Sequence, residues 1–473
     1  MAINGENGLQ AYGLVPTGNT LITFASDADV GAIKRSMSGF GISVIASSSD
    51  FDAGPESIDS VLDDAPAYLI EGINVAVVRR TETEGLGLMR GLAEGASRSS
   101  TVVEQRPEYF CFTQQQLSER YMAWLQEGAA ILAAGGRPGA QFLDPDEVDA
   151  AALFNDTATH TWGVQAVRAR TSLASGSGIK VAVLDTGVDL NHPDLAPRFV
   201  HTQSFVPGES VQDGHGHGTH CIGTACGPFQ PPGVRRYGVA HQSRIIAIKV
   251  LSNGGSGQES WILQGMLRAV QVGAQVISMS LGRARAPTDP SQAYTNAGNF
   301  ALANKCIIVA AAGNSAGQPV GAPANSPSIM AVAAVDQNLN HAAFSQVGGM
   351  PNGGEINIAG PGVDVFSSVP IPKGKYGFKT GTSMATPHVA GCAALWAQTN
   401  ANNRGMTLWK KLEQTARPLP HPAAKVGSGL VQSPVLKLTP PVKFPRTPVA
   451  ELDDEEPDDA NNGARRGRKR TDS

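Results

Sequence analysis

Cysteine is scarce: Cys111, Cys221, Cys226, Cys306 and Cys392 are the five in 473 residues. The count is odd and no CxxC spacing occurs, which argues against a dense disulfide framework and against a zinc site. Cys221 and Cys226 are spaced so that a helix would set them on different faces. The five are expected to be free buried thiols that behave as small hydrophobes. Long apolar runs are also missing. No stretch approaches the ~18 consecutive apolar residues of a membrane span, so none is expected. Residues 1–20 have neither a basic n-region nor an apolar h-region, and the first Lys or Arg is Lys34. The expectation is therefore a protein without a secretory signal, cytoplasmic, with export by another route left open. No positive surplus exists: 37 Lys and Arg stand against 41 Asp and Glu, a net charge of −4. That balance offers no reason to expect a nucleic-acid partner.

What is present is 41% hydrophobic residue, only 16% charged residue, 54 Gly and 31 Pro. Such a mixture suits a compact α/β enzyme with many tight turns and does not suit a coiled coil or a disordered chain. The length exceeds one ordinary domain.

Five regions follow from the pattern. Residues 1–19 read as a tail. Residues 20–112 read as a small domain with strand patterns at Thr20–Ala25, Ile42–Ala46, Ala67–Val78 and Thr101–Phe112. Helix-like runs at Ala28–Met37 and Glu82–Leu92 give the order βαββαβ, a ferredoxin-like α+β split. Residues 113–155 hold a helical pattern over Gln114–Ala134 and then a Gly/Pro-containing linker. From 156 to 436, short apolar runs alternate with helical stretches: Lys180–Leu184, Arg244–Val250, Val276–Met279, Cys306–Ala311 and Ile329–Val335. Near-continuous apolar strands separated by helices predict a mainly parallel sheet between helices. Residues 437–473 are Pro-rich, then acidic, then basic, and read as a disordered tail.

Three segments set a reactive residue type among Gly and Thr beside an expected element end. Val181-Ala-Val-Leu-Asp185-Thr-Gly187 places a carboxylate at the C-terminal end of a buried strand, where open α/β sheets build their sites. Asp213-Gly-His-Gly-His217-Gly-Thr-His220 enters an apolar helix-like stretch. Gly381-Thr-Ser383-Met-Ala-Thr-Pro387-His leads into another, with Pro387 expected in the first turn and Ser383 near the helix N-terminus. Acyl transfer needs this set. A serine hydroxyl is a poor nucleophile until a neutral imidazole removes its proton, and a carboxylate then fixes the tautomer and stabilises the imidazolium. A nucleophile elbow is excluded, because it needs Gly where this chain has Ala385.

The strings VAVLDTGVD, HGHGTH and GTSMATPHVAG resemble the three signatures of the subtilisin family, in that family's order Asp, His, Ser. The resemblance spans about Trp162 to Leu436. It implies a subtilisin-like α/β catalytic domain and a serine-type endopeptidase acting on protein or peptide substrates. Asp185 would orient, His217 would be the base and Ser383 the nucleophile. His215 and His220 would be structural, and Cys221 a buried thiol beside the catalytic His. Ile307-Ile-Val-Ala-Ala-Ala-Gly313-Asn314 resembles the oxyanion segment, with the Asn314 amide as donor. Losing such a donor costs subtilisin ~10²–10³ in turnover. Ser280-Leu281-Gly282 resembles the segment that takes up an extended substrate by strand addition. A second Gly usually follows there, and this chain has Arg283, expected to narrow or charge the adjoining pocket. Gly313 and Arg283 join the expected substrate-binding set.

Asp194 matches a position that binds calcium in many members. The partner loop here is Gly227-Pro-Phe-Gln-Pro-Pro-Gly233, without Asn, so no cofactor is required and a structural calcium is unsupported by the usual loop. Residues 20–112 resemble the family's propeptide and would act as an intramolecular inhibitor. Two alternatives stand beside the active endopeptidase: an inactive peptide-binding homologue, and a narrow-specificity maturation protease.

Overall fold

The computed structural model describes residues 14–39, 42, 45–48, 65–79, 101–113, 153–284, 289–349 and 354–435. The expected helices Glu82–Leu92 and Gln114–Ala134 and the tail 437–473 lie outside them. All the described residues belong to one unit, Met1–Val435.

The larger part is built on a seven-stranded parallel sheet. Its strands are β6 (Lys180–Asp185), β7 (Phe199–Ser204), β8 (Arg244–Lys249), β10 (Val276–Met279), β12 (Ile307–Ala311), β13 (Met330–Val335) and β14 (Ile358–Pro361). The spatial order is β14-β13-β12-β10-β6-β8-β7. Residues of β10, β12 and β13 are buried without exception, as is β6 after Lys180, because helices cover the sheet. This explains the apolar runs in place of alternation. The flanking helices are α2 (Trp162–Ala166), α3 (His217–Cys226), α4 (Glu259–Gln271), α5 (Gln292–Ala303), α6 (Thr382–Thr399), α7 (Gly405–Thr415) and α8 (Ala423–Val426). A hairpin of β15 (Val365–Ser368) and β16 (Tyr376–Lys379) precedes α6. Strand β6 comes first in the chain yet lies between β8 and β10. The winding direction reverses there, which opens a crevice at the carboxyl end of β6.

The N-terminal part contributes β1 (Pro16–Phe24), α1 (Val30–Gly39), β2 (Ile45–Ser47), β3 (Ala67–Ile70), β4 (Val75–Val78) and β5 (Val102–Thr113). The single run expected over Ala67–Val78 is a hairpin, β3 against β4, because Asn74 adopts a left-handed backbone (φ 54°) in the turn. Strands run in the order β5-β1-β4-β3-β2. Side chains alternate between two cores. Ile22, Phe24, Leu69, Ala76 and Val78 meet Ile33 and Met37 of α1. Leu21, Ile70, Val75 and Val77 join the apolar core of the larger part. This sheet therefore buries both faces, one of them on a surface it does not itself supply.

Strand β5 is shared. Its last residues lie between β9 (Ser256–Gln258) and β11 (Leu281–Gly282), antiparallel to both. Cys111 faces Gly257, Phe112 faces Ser256 and Gly282, and Thr113 faces Leu281.

Candidate active site

Asp185 is the last residue of β6, and the strand delivers its carboxylate into the crevice. Its Oδ1 accepts from Thr186 N at 2.8 Å and lies 2.7 Å from His217 Nδ1. Both side chains are 1% exposed, so the contact is dry and strong. Burial disfavours the imidazolium, but the Asp185 carboxylate outweighs it, and the ring's pKa is raised above 6.5. Asp185 Oδ2 and His217 Nε2 have no hydrogen-bond partner among the described residues. With Nδ1 committed to the carboxylate, Nε2 is the nitrogen left to exchange a proton.

His217 opens α3, and the loop before it is held by Asp213. Asp213 Oδ1 accepts from His215 N (3.0 Å), Gly216 N (2.7 Å) and Thr186 Oγ1 (2.9 Å), while Oδ2 accepts from Thr219 N and Oγ1. A single carboxylate thus fixes the helix start against the Asp185 turn. Gly218 lies so close that an added Cβ would sit 2.2 Å from Gly187 O, which accounts for the Gly after His217. His220 and His388 are not alternative bases. Burial lowers the pKa of both, and their rings meet Val365 O at 3.0 Å and Met384 O at 2.8 Å. His215 sits edge-on to His217 with centroids 6.2 Å apart. Burial, then the His217 charge, lowers its pKa too.

Ser383 is the second residue of α6. Its hydroxyl donates to Ser280 O at 3.2 Å and is not hydrogen-bonded to His217. Pro387 is not in the first turn as expected but inside the helix. Having no N–H, it leaves the Ser383 carbonyl without its helical donor. Ser280 Oγ (2.8 Å) and Cys221 Sγ (3.6 Å) donate to that carbonyl instead. Cys221 Sγ also lies 3.9 Å from His217 Nδ1, so one thiol touches the segments that carry both reactive groups. Burial raises its pKa and keeps it neutral. All five cysteines are free and buried.

Asn314 follows β12. Its Oδ1 accepts from Thr382 N and Thr382 Oγ1, each at 2.8 Å, which commits the oxygen and leaves the amide nitrogen for another acceptor. Gly313 donates to Thr382 Oγ1 at 3.2 Å, and an added Cβ there would strike Gln346 Oε1.

Arg283 is fully buried, and its guanidinium is taken up by carboxylates rather than pointing into an open pocket. Nε meets Glu259 Oε1 at 3.0 Å, and Nη1 and Nη2 meet the two oxygens of Asp289 at 2.8 and 2.9 Å. Glu259 is shared with Arg106 of β5 at 2.7 and 3.0 Å. Nothing in the sequence pattern singled out Arg106, Glu259, Asp213 or the buried Lys249, whose Nζ donates to Thr186 O at 2.6 Å. The roles of Arg106, Glu259 and Lys249 depend on partners distant in the chain, whereas Asp213 binds mainly the turn that follows it. The one available signal was an acidic residue in the first turn of α4.

The surroundings of Asp194 do not fit calcium. Its Oδ2 accepts from Tyr237 OH (2.6 Å) and Tyr376 OH (2.9 Å). Burial first, then Asp194, raises the pKa of both phenols, so they stay protonated and donate. Among the described residues, the group of side chains with metal-ligand spacing is Asp185, His217 and Cys221, which belongs to the catalytic crevice.

The Subtilase family model matches residues 176–429, and the chain belongs to that family. It is a serine endopeptidase. It is 42% identical over 308 residues to an alkaline protease of Alkalihalobacillus alcalophilus, covering 62% of this chain and 77% of the relative. Subtilisin Savinase of Lederbergia lenta is 44% identical over 276 residues, 58% of this chain and 96% of the relative. Among solved structures, Sphericase superposes with a TM-score of 0.52 at 32% identity, covering 57% of this chain and 97% of that one. These relationships overturn the expected cytoplasmic localisation, because the related alkaline proteases and subtilisins are secreted, extracellular enzymes. That expectation rested on the first twenty residues alone, and where a sequence begins does not establish a compartment. No helix among the described residues is long and apolar enough to cross a membrane.

Proposed function

We propose that Ser383 is the nucleophile, His217 the general base, Asp185 the group that orients and charges the base, and Asn314 the oxyanion donor. The carrying observation is the 2.7 Å Asp185–His217 contact, with Nε2 left unpartnered beside the helix that bears Ser383. Turning the Ser383 hydroxyl from Ser280 O to Nε2 transfers its proton as Oγ attacks the peptide carbonyl. The amide nitrogen of Asn314 then donates to the oxygen that gains negative charge. The imidazolium, held by Asp185, returns the proton to the leaving amine, and water resolves the acyl-enzyme by the same steps.

Protein or peptide substrates bind as a strand between β9 and β11, with Ser280, Leu281 and Gly282 on one side and Arg283 and Gly313 completing the wall. Residues 20–112 are the prodomain, the chain's own inhibitor. The strand order β5-β1-β4-β3 supports a ferredoxin-like split with β2 added at its edge. The pairing of Phe110–Thr113 with β9 and β11 supports occupation of the substrate cleft. Residues 113–155 then connect to the peptidase domain, 156–436.

A fluorophosphonate should label the wild-type chain and leave Ser383→Ala unlabelled. Intact-mass analysis should show that the wild type sheds its N-terminal segment, whereas Ser383→Ala stays full length. A Ser383→Ala chain that matures by itself, or that takes the label, would refute the assignment.

A further inference from the structure

The antiparallel register numbers the substrate positions. Ser383 Oγ contacts Ser280 O, so the residue opposite Ser280 carries the bond to be cut. Counting back along β5, Thr113 stands second, Phe112 third and Cys111 fourth. Cys111 is fully buried, with Sγ 3.5 Å from Tyr294 OH. Alternation along the strand puts Tyr109 on the same face, and its ring lies 5.2 Å from the Arg283 guanidinium. This face of the strand looks onto Glu259. Burial is the main reason the Cys111 thiol is pushed up to about 12, and the Glu259 charge adds to it.

Glu259 Oε2 has two partners, Arg106 Nη1 at 2.7 Å and Tyr109 N at 2.9 Å, and both lie on β5. Oε1 has Arg106 Nη2 and Arg283 Nε, each at 3.0 Å. Arg106 also donates to Ser291 Oγ at 2.8 and 3.2 Å. When the prodomain departs, Oε2 loses every partner named here, and Glu259 keeps the Arg283 Nε contact to its other oxygen. A carboxylate in so apolar a setting needs a replacement cation.

We infer that Glu259, with Ser291 and Tyr294 beside it, forms an anionic subsite that selects Arg or Lys at the fourth residue upstream of the cleaved bond. The precursor meets the same demand from elsewhere. Arg106 reaches in from the neighbouring part of β5, so a small neutral residue, Cys111, suffices at the fourth position. In a substrate that lacks such an Arg, the fourth side chain must bring the charge. Arg serves better than Lys, because its fork matches both Glu259 oxygens in the way Arg106 does. The inference rests on the proposal that β5 lies as substrate does.

The test uses wild-type enzyme that has released its prodomain and a peptide series differing only at the fourth residue upstream: Arg, Lys, Ala, Phe and Glu. Cleavage positions are confirmed by mass. The expected kcat/KM ratio of Arg over Ala is about tenfold or more, the scale of one good interfacial charge pair. Raised salt should shrink that ratio. Glu259→Gln should bring it close to one, and Glu259→Asp should restore part of it. A wild type that prefers Phe or Ala to Arg, or a ratio untouched by Glu259→Gln, overturns the subsite while leaving the protease standing. Absence of cleavage of every peptide, together with absence of fluorophosphonate labelling, overturns the catalytic reading and the subsite with it. Should Glu259→Gln fail to fold, the wild-type ratio and its salt dependence decide the matter alone.

Discussion

Two buried charge arrangements lie near the same cleft and are built on opposite plans. Asp185 and His217 meet at 2.7 Å, yet an oxygen of one and a nitrogen of the other are left without partners. In the Arg106–Glu259–Arg283–Asp289 chain, the two guanidinium groups and two carboxylates close on one another at 2.7–3.0 Å. The first pair lies wholly within the peptidase part and keeps capacity for a proton and a reacting hydroxyl. The second joins β5 of the N-terminal part to the peptidase part and leaves Glu259 fully engaged. Open valence suits the proposed site of chemistry, and closed valence suits a site that holds two parts of the molecule together.

Breaking the open pair should have the largest effect. Asp185→Asn is expected to lower kcat about 10⁴-fold, the scale seen when this carboxylate is lost from serine proteases. The pH profile supplies the sign. Activity needs neutral imidazole, so the rate rises with pH through the His217 pKa, and Asp185 raises that pKa. Once the carboxylate is replaced by an amide, burial remains and lowers the pKa, so the acid limb should move to lower pH. A limb that stays put would show that Asp185 does not act through the ring.

Breaking the closed chain should cost stability rather than chemistry. In the Ser383→Ala chain, expected to stay full length, Arg106→Ala leaves Glu259 with Arg283 as its one counterion among the described residues. Urea unfolding should show a loss of about 3–5 kcal/mol, the usual penalty for removing one partner of a buried pair. A loss below about 1 kcal/mol would mean that water re-enters and the chain is not closed. The smallest effect is expected at Asp194, where phenols stand in the place expected for calcium. Tyr376→Phe removes one of two donors to the carboxylate and should cost about 1.5–3 kcal/mol. A chelator should leave the wild-type melting temperature unchanged.

The two parts also differ in how their sheets are covered. The peptidase sheet has both faces covered by helices of its own chain region. The N-terminal sheet has α1 on one face and donates Leu21, Ile70, Val75 and Val77 to the peptidase core on the other. Asn296 of α5 donates to Phe24 O and Ile73 O, while Glu108 accepts from Ser260 N at 2.7 Å and Glu104 from Gln292 N at 2.9 Å. Two carboxylates of the N-terminal part thus complete the amino ends of α4 and α5, where unpaired N–H groups favour negative charge.

Much of this was legible beforehand. Five of the seven parallel-sheet strands fall within a residue or two of the apolar runs, because a strand buried on both faces has to be apolar throughout; β7, partly exposed at the sheet edge, and β14 were not foreseen. Asp185, His217, Ser383 and Asn314 each sit in a contiguous motif whose glycines answer to local backbone demands, such as the close approach of Gly218 to Gly187 O. The hairpin within Ala67–Val78 was missed although Glu71, Gly72 and Asn74 separate its two apolar strands, because no Gly/Pro or Asn-Gly pair marks the turn. Pro387 was set one turn too early, because a helix that tolerates a proline gives no local sign of it.

Sequence alone determined the peptidase class and the mainly parallel sheet, and it nominated the side chains proposed to react, all of which are written in short local patterns. Tertiary structure decided what those patterns could not hold: that Arg283 turns inward to Glu259 and Asp289, that two tyrosines answer Asp194, and that Cys111 pairs with Gly257 far along the chain. The physical reason is that a charge buried in a low-dielectric interior is defined by its partner. Partners that lie far apart along the chain leave no periodicity to read.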